Sequence, residues 1–254
     1  VVGTTYWLNR PVHLRIAVGP PYSDDVKVIQ SIAQIFARDR KYVRLRPIIT
    51  DGTSSSAASL NAGTTDLAVI RGDIELPKDA QAIASIRKNF AVLWALNGSG
   101  KKGAIKKIEQ LAGKRIGVIG RTQANVNLLK VILTQSGVDA EKVHVVQFTT
   151  TGFADAVKNE KLDAFLAVGP LNSKITADAI AATTKGGKEA TFLSVETADA
   201  IAQKYPVYES GEIPAGAFGA KPARPDDKID TITFAHHIVA RKSLSEATAG
   251  ALTR

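Results

Sequence analysis

Apolar residues in this chain fall into short continuous runs, separated by loops rich in Gly, Pro, Ser and Thr. Residues 14–18 (LRIAV) form the first run, halted by Gly19-Pro20-Pro21, and read as a buried strand entering a tight loop. Asp24 or Asp25 stands where a cap belongs, and Val28, Ile29, Ile32, Ile35 and Phe36 then recur at helical spacing. Residues 42–49 read as a second strand, broken by Asp51-Gly52. Thr53, Ser54, Ser55 and Ser56 lead into a helix at 57–60 that ends at Asn61-Ala62-Gly63. A third strand, 67–70, stops at Arg71-Gly72-Asp73. Alternating strands and helices, with strands apolar on both faces, predict a parallel sheet covered on each side.

Residues 90–96 (FAVLWAL) are a fourth strand, and the polar, glycine-rich stretch 97–103 after it marks the best boundary in the chain. The division predicted is 13–96 for a first lobe, 97–230 for a second, and 231–254 for a return strand and the start of a C-terminal helix on the first. Beyond the boundary the grammar restarts. A helix at 104–111 and a strand at 115–119 precede Gly120-Arg121-Thr122-Gln123 and a helix carrying Val126, Leu128, Leu129, Ile132 and Leu133. A strand at 143–148, a hydroxyl-rich turn Thr149-Thr150-Thr151, a helix at 153–157 and a strand at 162–168 follow, the last ending at Gly169-Pro170. Residues 190–195 read as a strand and 198–204 as a helix. Residues 205–225, rich in Pro and Gly, read as a surface excursion. A long strand at 229–241 precedes a helix from Ser243, with Glu246 at capping-box spacing.

With 44% hydrophobic and 22% charged residues over 254 positions, the chain can bury a core, which excludes disorder as its main state. Cysteine is absent, so disulfides, thiolate chemistry and Cys-ligated zinc go with it. No apolar run is long enough to cross a bilayer as a helix. Methionine is absent even at position 1; residues 1–11 (VVGTTYWLNRP) are either the stub of a removed signal peptide or anchor, or an arbitrary start. The formal charge of +9 would suit nucleic acid, an anionic surface or an anionic solute. Its dense runs are short (Arg38, Arg40, Lys41, Arg44, Arg46; Lys101, Lys102, Lys106, Lys107), and few aromatics lie beside them to stack bases. Nucleic acid is therefore not the expected partner; a long-range pull on anions is.

The glycine loops lack both the dinucleotide fingerprint and the P-loop spacing. Thr53, Ser54, Ser55 and Ser56 sit where a strand ends and a helix begins, so free N–H groups and hydroxyls together favour a carboxylate or phosphate; plain capping would account for one of them. Arg121, at the equivalent point of the second half, either clamps a carboxylate bidentately or is simply solvated. Asp73 either accepts from a ligand amine or caps the turn after Gly72. Of the four histidines, His236 and His237 are adjacent in a strand and face opposite ways, and His144 has no neighbouring carboxylate; His13 stands alone. No hydrolase or metalloprotease motif is present, and neither enzyme activity, a cofactor nor a metal is expected.

In the order of its pieces, the chain resembles the TAXI subgroup of TRAP-transporter solute receptors, and more distantly the type II periplasmic binding proteins. The pieces are LRIAVGPPYSDD at 14–25, DGTSSSAASLNAGTTDLAVIRGD at 51–73, IEQLAGKRIGVIGRTQ at 108–123, GVDAEKVHVVQF at 137–148, LDAFLAVGP at 162–170 and HHIVARKSLSEATAGAL at 236–252. The resemblance implies an α/β fold of two lobes with a ligand cleft between them, hinged where crossing strands pass near 93–97 and 229–233. It implies a periplasmic, or otherwise extracytoplasmic, monomer that captures a small organic anion and hands it to membrane permease subunits. It carries ligand contacts onto Gly19, Pro20 and Tyr22, onto Ser54, Ser55 and Ser56, onto Arg71 and Asp73, onto Arg121, Thr122 and Gln123, and onto Gly169 and Pro170. A membrane-tethered ligand sensor and an enzyme on the same scaffold are the alternatives.

Overall fold

A computed structural model describes residues 11–39, 42–97, 104–185 and 189–253. The opening tail, Arg40, Lys41 and the glycine-rich stretch 98–103 lie outside the described residues. Two compact units result: one takes in the chain up to Arg87 and again from Ala235, the other is Lys88–Phe234.

The first unit begins with β1 (Val12–Gly19), α1 (Asp24–Arg38), β2 (Val43–Ile49), α2 (Thr53–Asn61) and β3 (Leu67–Arg71). The three strands are parallel in the order β2-β1-β3. Alternation along β1 explains the layering. Leu14, Ile16 and Val18 pack with Val26, Ile29 and Phe36 of α1, while Ala17 packs with Leu60 of α2 on the other face. The cap of α1 is Ser23, whose hydroxyl accepts from the Val26 N–H at 3.4 Å, rather than Asp24 or Asp25. Those two carboxylates occupy the first turn instead, where the helix dipole favours them. Helix α2 starts earlier than the pattern predicts, with Thr53–Ser56 inside its first turn and Gly52 as N-cap.

The second unit repeats the plan with β5 (Arg115–Ile119), α3 (Gln123–Gln135), β6 (His144–Phe148), α4 (Phe153–Ala156), β7 (Ala164–Gly169), α5 (Lys174–Thr183), β8 (Glu189–Phe192), α6 (Ala198–Lys204) and β9 (Glu209–Ile213). Strand β5 lies parallel between β6 and β7. One face buries Ile116 and Val118 against Leu128, Leu129 and Ile132 of α3; the other buries Trp94, Phe165, Phe148 and Phe153 in an aromatic cluster. The segment read as a helix at 104–111 is only a 3₁₀ turn, Ile108–Leu111. Gln110 turns back to accept from the Lys106 and Lys107 N–H groups, and Gly113, with φ +70°, ends the turn at once. The excursion at 205–225 contains β9, anchored by buried Ile213.

Two strands serve both units: β4 (Ala80–Asn97) and β10 (Ile229–Arg241). The chain passes between units inside them, at Arg87–Lys88 and Phe234–Ala235, not at 96–97 and 230–231. Neither passage interrupts a strand, so no break in composition announces it. The first half of β4 escapes the pattern because residues 81–88 are partly exposed and mixed in polarity, although Ile83 and Ile86 pack on the first core. The final helix, α7 (Glu246–Leu252), is capped by Ser245, which accepts from the Thr248 N–H at 3.2 Å; Ser243 is not its cap.

Candidate functional site

Parallel strands bring their carboxyl ends to one edge, and in the first unit β1, β2 and β3 end there at Gly19, Ile49 and Arg71. Gly19 has φ +124°, which only glycine tolerates readily, and lets the chain turn through Pro20 and Pro21. Tyr22 follows with φ +66° and is 82% exposed, an unusual combination for a bulky residue. At the start of α2, Gly52 provides no side-chain cap, so the first N–H groups keep their donor capacity. Ser54 is exposed and Ser55 half-buried. Ser56 departs from the expectation of ligand contact: it is fully buried and hydrogen-bonded to the Thr50 hydroxyl at 2.7 Å, because it lies on the helix face turned to the sheet.

Arg71 and Asp73 hold each other. The Arg71 Nε and Nη2 donate to the two Asp73 oxygens at 2.8 Å each, with both side chains buried. Asp73 thus accepts from a guanidinium of its own loop. Beside it lies a network whose members were not grouped by sequence reasoning. Asp25, in the first turn of α1, accepts from Arg87 Nε at 2.6 Å and from His236 Nδ1 at 2.8 Å. Arg87 comes from β4, and His236 from β10, where it pairs in register with Arg71.

Burial pushes the Asp25 carboxyl up, but the hydrogen bonds and charges of His236 and Arg87 outweigh it and hold the group below the ordinary carboxylate range. Burial pushes His236 down, Asp25 opposes this, and the charges of Arg87 and Arg71 reinforce it, leaving the imidazole below its ordinary value. An ionised Asp25 assigns the proton of neutral His236 to Nδ1. His237, next along β10, turns the other way and meets Ser85 Oγ at 3.0 Å, as strand alternation requires. The signal in the sequence was a carboxylate beside apolar Val26 and a His inside a predicted strand; Arg87 lies in the part of β4 that the pattern misses, and the partners are too far apart along the chain for spacing to join them.

In the second unit, β5 and β7 end at Ile119 and Gly169. Gly120 takes φ +95°, and Arg121 stands exposed after it. Thr122 is the N-cap of α3 without using its hydroxyl for the cap. Buried Asn125 donates to Ile119 O at 3.0 Å, and Gln147 reaches the carbonyls of Gly120 and Thr122 at 3.4 and 3.3 Å, so the loop backbone is held while the Arg121 side chain stands exposed. Gln123 donates along its helix to Asn127 at 3.1 Å. At Gly169 a side chain would meet Ser173 at 3.2 Å, so this glycine serves the close approach of α5; Pro170 accepts from the Ser173 N–H at 2.9 Å. Among the described residues no group of three or more His, Asp or Glu is placed to hold a metal ion.

Two α/β units that share two through-running strands, each with helix starts at the carboxyl ends of parallel strands, define the fold of the type II periplasmic binding proteins. Solved structures agree in fold. A protein from Bordetella bronchiseptica RB50 superimposes with a TM-score of 0.53 at 15% identity, over 95% of this chain and 68% of its own. The probable amino-acid ABC transporter extracellular-binding protein ytmK of Bacillus subtilis gives 0.54 at 11%, over 96% and 90%. The GluR0 ligand-binding core in complex with L-glutamate gives 0.51 at 9%, over 95% and 91%. The chain belongs to the NMT1-like family, whose model matches residues 17–254. No curated protein sequence matches it.

Proposed function

We propose that this protein is an extracytoplasmic solute receptor that captures a small organic anion and delivers it to the permease of a TRAP-type transporter. The observation that carries the reading is where donors remain unspent. The buried cations of the first unit's carboxyl edge are committed, Arg71 to Asp73 and Arg87 to Asp25. The starts of α2 and α3 lack side-chain caps and stand beside exposed Ser54 and exposed Arg121. Such groups suit a carboxylate: helix N–H groups and hydroxyls solvate it, and a guanidinium grips it through two parallel bonds. Capture needs no chemical step. Membership of the NMT1-like family and a fold shared with the extracellular-binding protein ytmK support the same reading.

A thermal-shift screen of small organic acids tests it. One or more carboxylic acids should raise the melting temperature without being turned over, and Arg121→Ala should abolish most of that shift. Turnover of a stabilising acid, or a covalent adduct in the mass of the purified protein, would replace the receptor with an enzyme on the same scaffold. A shift that survives Arg121→Ala would remove that residue from the site.

A further inference from the structure

The second unit contains a cavity of about 590 Å³ that the strand-end site does not use. It opens at the amino-terminal edge of β5 and β7, where Arg115 and Asp163 lie, opposite the ends that carry Arg121 and Gly169. Its floor is apolar, made by Leu96, Val157, Leu162 and fully buried Phe165. The one hydroxyl at the floor, that of Thr183, is already satisfied: it accepts from Trp94 Nε1 at 3.1 Å and donates back into its own helix. Nothing there asks for a polar guest.

The rim is different. Arg115, Lys158, Lys161 and Lys185 line it against only Glu160 and Asp163. Arg115 is paired with Glu160 at 2.9 Å and Lys158 with Asp155 at 2.7 Å. Asp163 accepts from the Arg115 backbone N–H at 2.9 Å. Lys161 and Lys185 are both exposed, and the charge of Lys185 also reaches Asp155, where it helps to hold that carboxyl low. Even with Asp155 counted, the mouth keeps a positive excess. Lysine stems can extend the apolar wall while their ammonium groups stay at the opening.

We propose that this cavity is a second binding site, distinct from the strand-end site, for an amphipathic monoanion: an apolar body on the Phe165 floor with a single carboxylate at the Lys161–Lys185 mouth. The volume is in the range of small-molecule pockets. Decanoate, below its micellar concentration, is the probe, titrated calorimetrically into the whole chain. The expected result is saturable binding to one site per chain, weakened on the order of tenfold or more by Lys161→Glu/Lys185→Glu, because charge-assisted contacts at the mouth become repulsive. Ala154→Trp, at an exposed wall position, should block entry. Circular dichroism checks that each variant is folded, and Lys161→Ala/Lys185→Ala serves if the reversal is not. Decanol should bind more weakly than decanoate, and Arg121→Ala should leave decanoate binding unchanged. The proposal is overturned by the absence of saturable binding, by equal binding of decanol, by indifference to both the charge and Ala154→Trp variants, or by loss of binding in Arg121→Ala.

Discussion

Replacing Asp25 by Asn changes one atom's chemistry and almost no volume, yet it removes the negative charge that Asp25 sets against Arg87. The Arg87 side chain is 14% exposed and that of His236 7%, so water cannot take over for the lost carboxylate. Breaking a buried pair by neutralising one partner costs about 3–5 kcal/mol, mostly as an uncompensated buried cation. The next residue supplies a matched control. Lys88 pairs with Glu209, but those side chains are 46% and 57% exposed, and Glu209→Gln should cost about 1 kcal/mol or less. Urea unfolding followed by circular dichroism gives the global loss. Hydrogen exchange at Ile238 and Val239, in the part of β10 that pairs with β3, reports the first unit locally. Asp25→Asn/Arg87→Met, which removes the stranded charge, should recover most of the stability. The reasoning fails if Asp25→Asn costs no more than Glu209→Gln, or if the double variant is as unstable as the single.

Acid should weaken the first unit in two steps. His236 lies below its ordinary pKa in the folded protein, so its contribution is complete above about pH 6.5 and is lost as pH falls below that; Asp25, also lowered, keeps its contribution above about pH 3.8 and loses it below. A urea midpoint for the exchange at Ile238 that is flat between about pH 7 and pH 5 would contradict the upper step, and His236→Asn should flatten it by design. Gly117→Ala puts a Cβ 2.7 Å from the buried Phe165 ring and should destabilise by about 1–3 kcal/mol in urea unfolding, since the ring must shift from its packed position to admit it. Ser245→Ala should destabilise α7 by about 1 kcal/mol and Ser243→Ala by almost nothing, judged by exchange protection in residues 246–252.

The parts of the fold that can be read from sequence are those where one local rule decides. Strand β10 follows its apolar run over Ile229–Arg241, and β1, β5 and β7 announce themselves by runs that end in glycine. Where two rules compete, the pattern misleads. Ser243 has the spacing of a capping box, but Ser245 makes the hydrogen bond. Residues 81–88 look too polar for a strand because they stay partly exposed, and only Ile83, Ala84 and Ile86 pack on the first core. Helix starts at the strand ends were legible from Gly, Ser and Thr alone. The Asp25–Arg87–His236 network was not, because its members lie 62 and 211 positions from Asp25 and nothing local couples them.

The second unit is a single uninterrupted stretch of chain, while the first is split around it. In the sheet, β10 lies between β3 and β4, so the earlier part of the first unit is left with a gap that only the last tenth of the sequence fills. During synthesis the insert can therefore finish folding while its host is still incomplete. Loop closure over so long a separation is slow compared with local pairing. Arg71 and Arg87, both made early, wait for His236 to arrive, and the network around Asp25 closes only when the outer piece of the molecule is sealed.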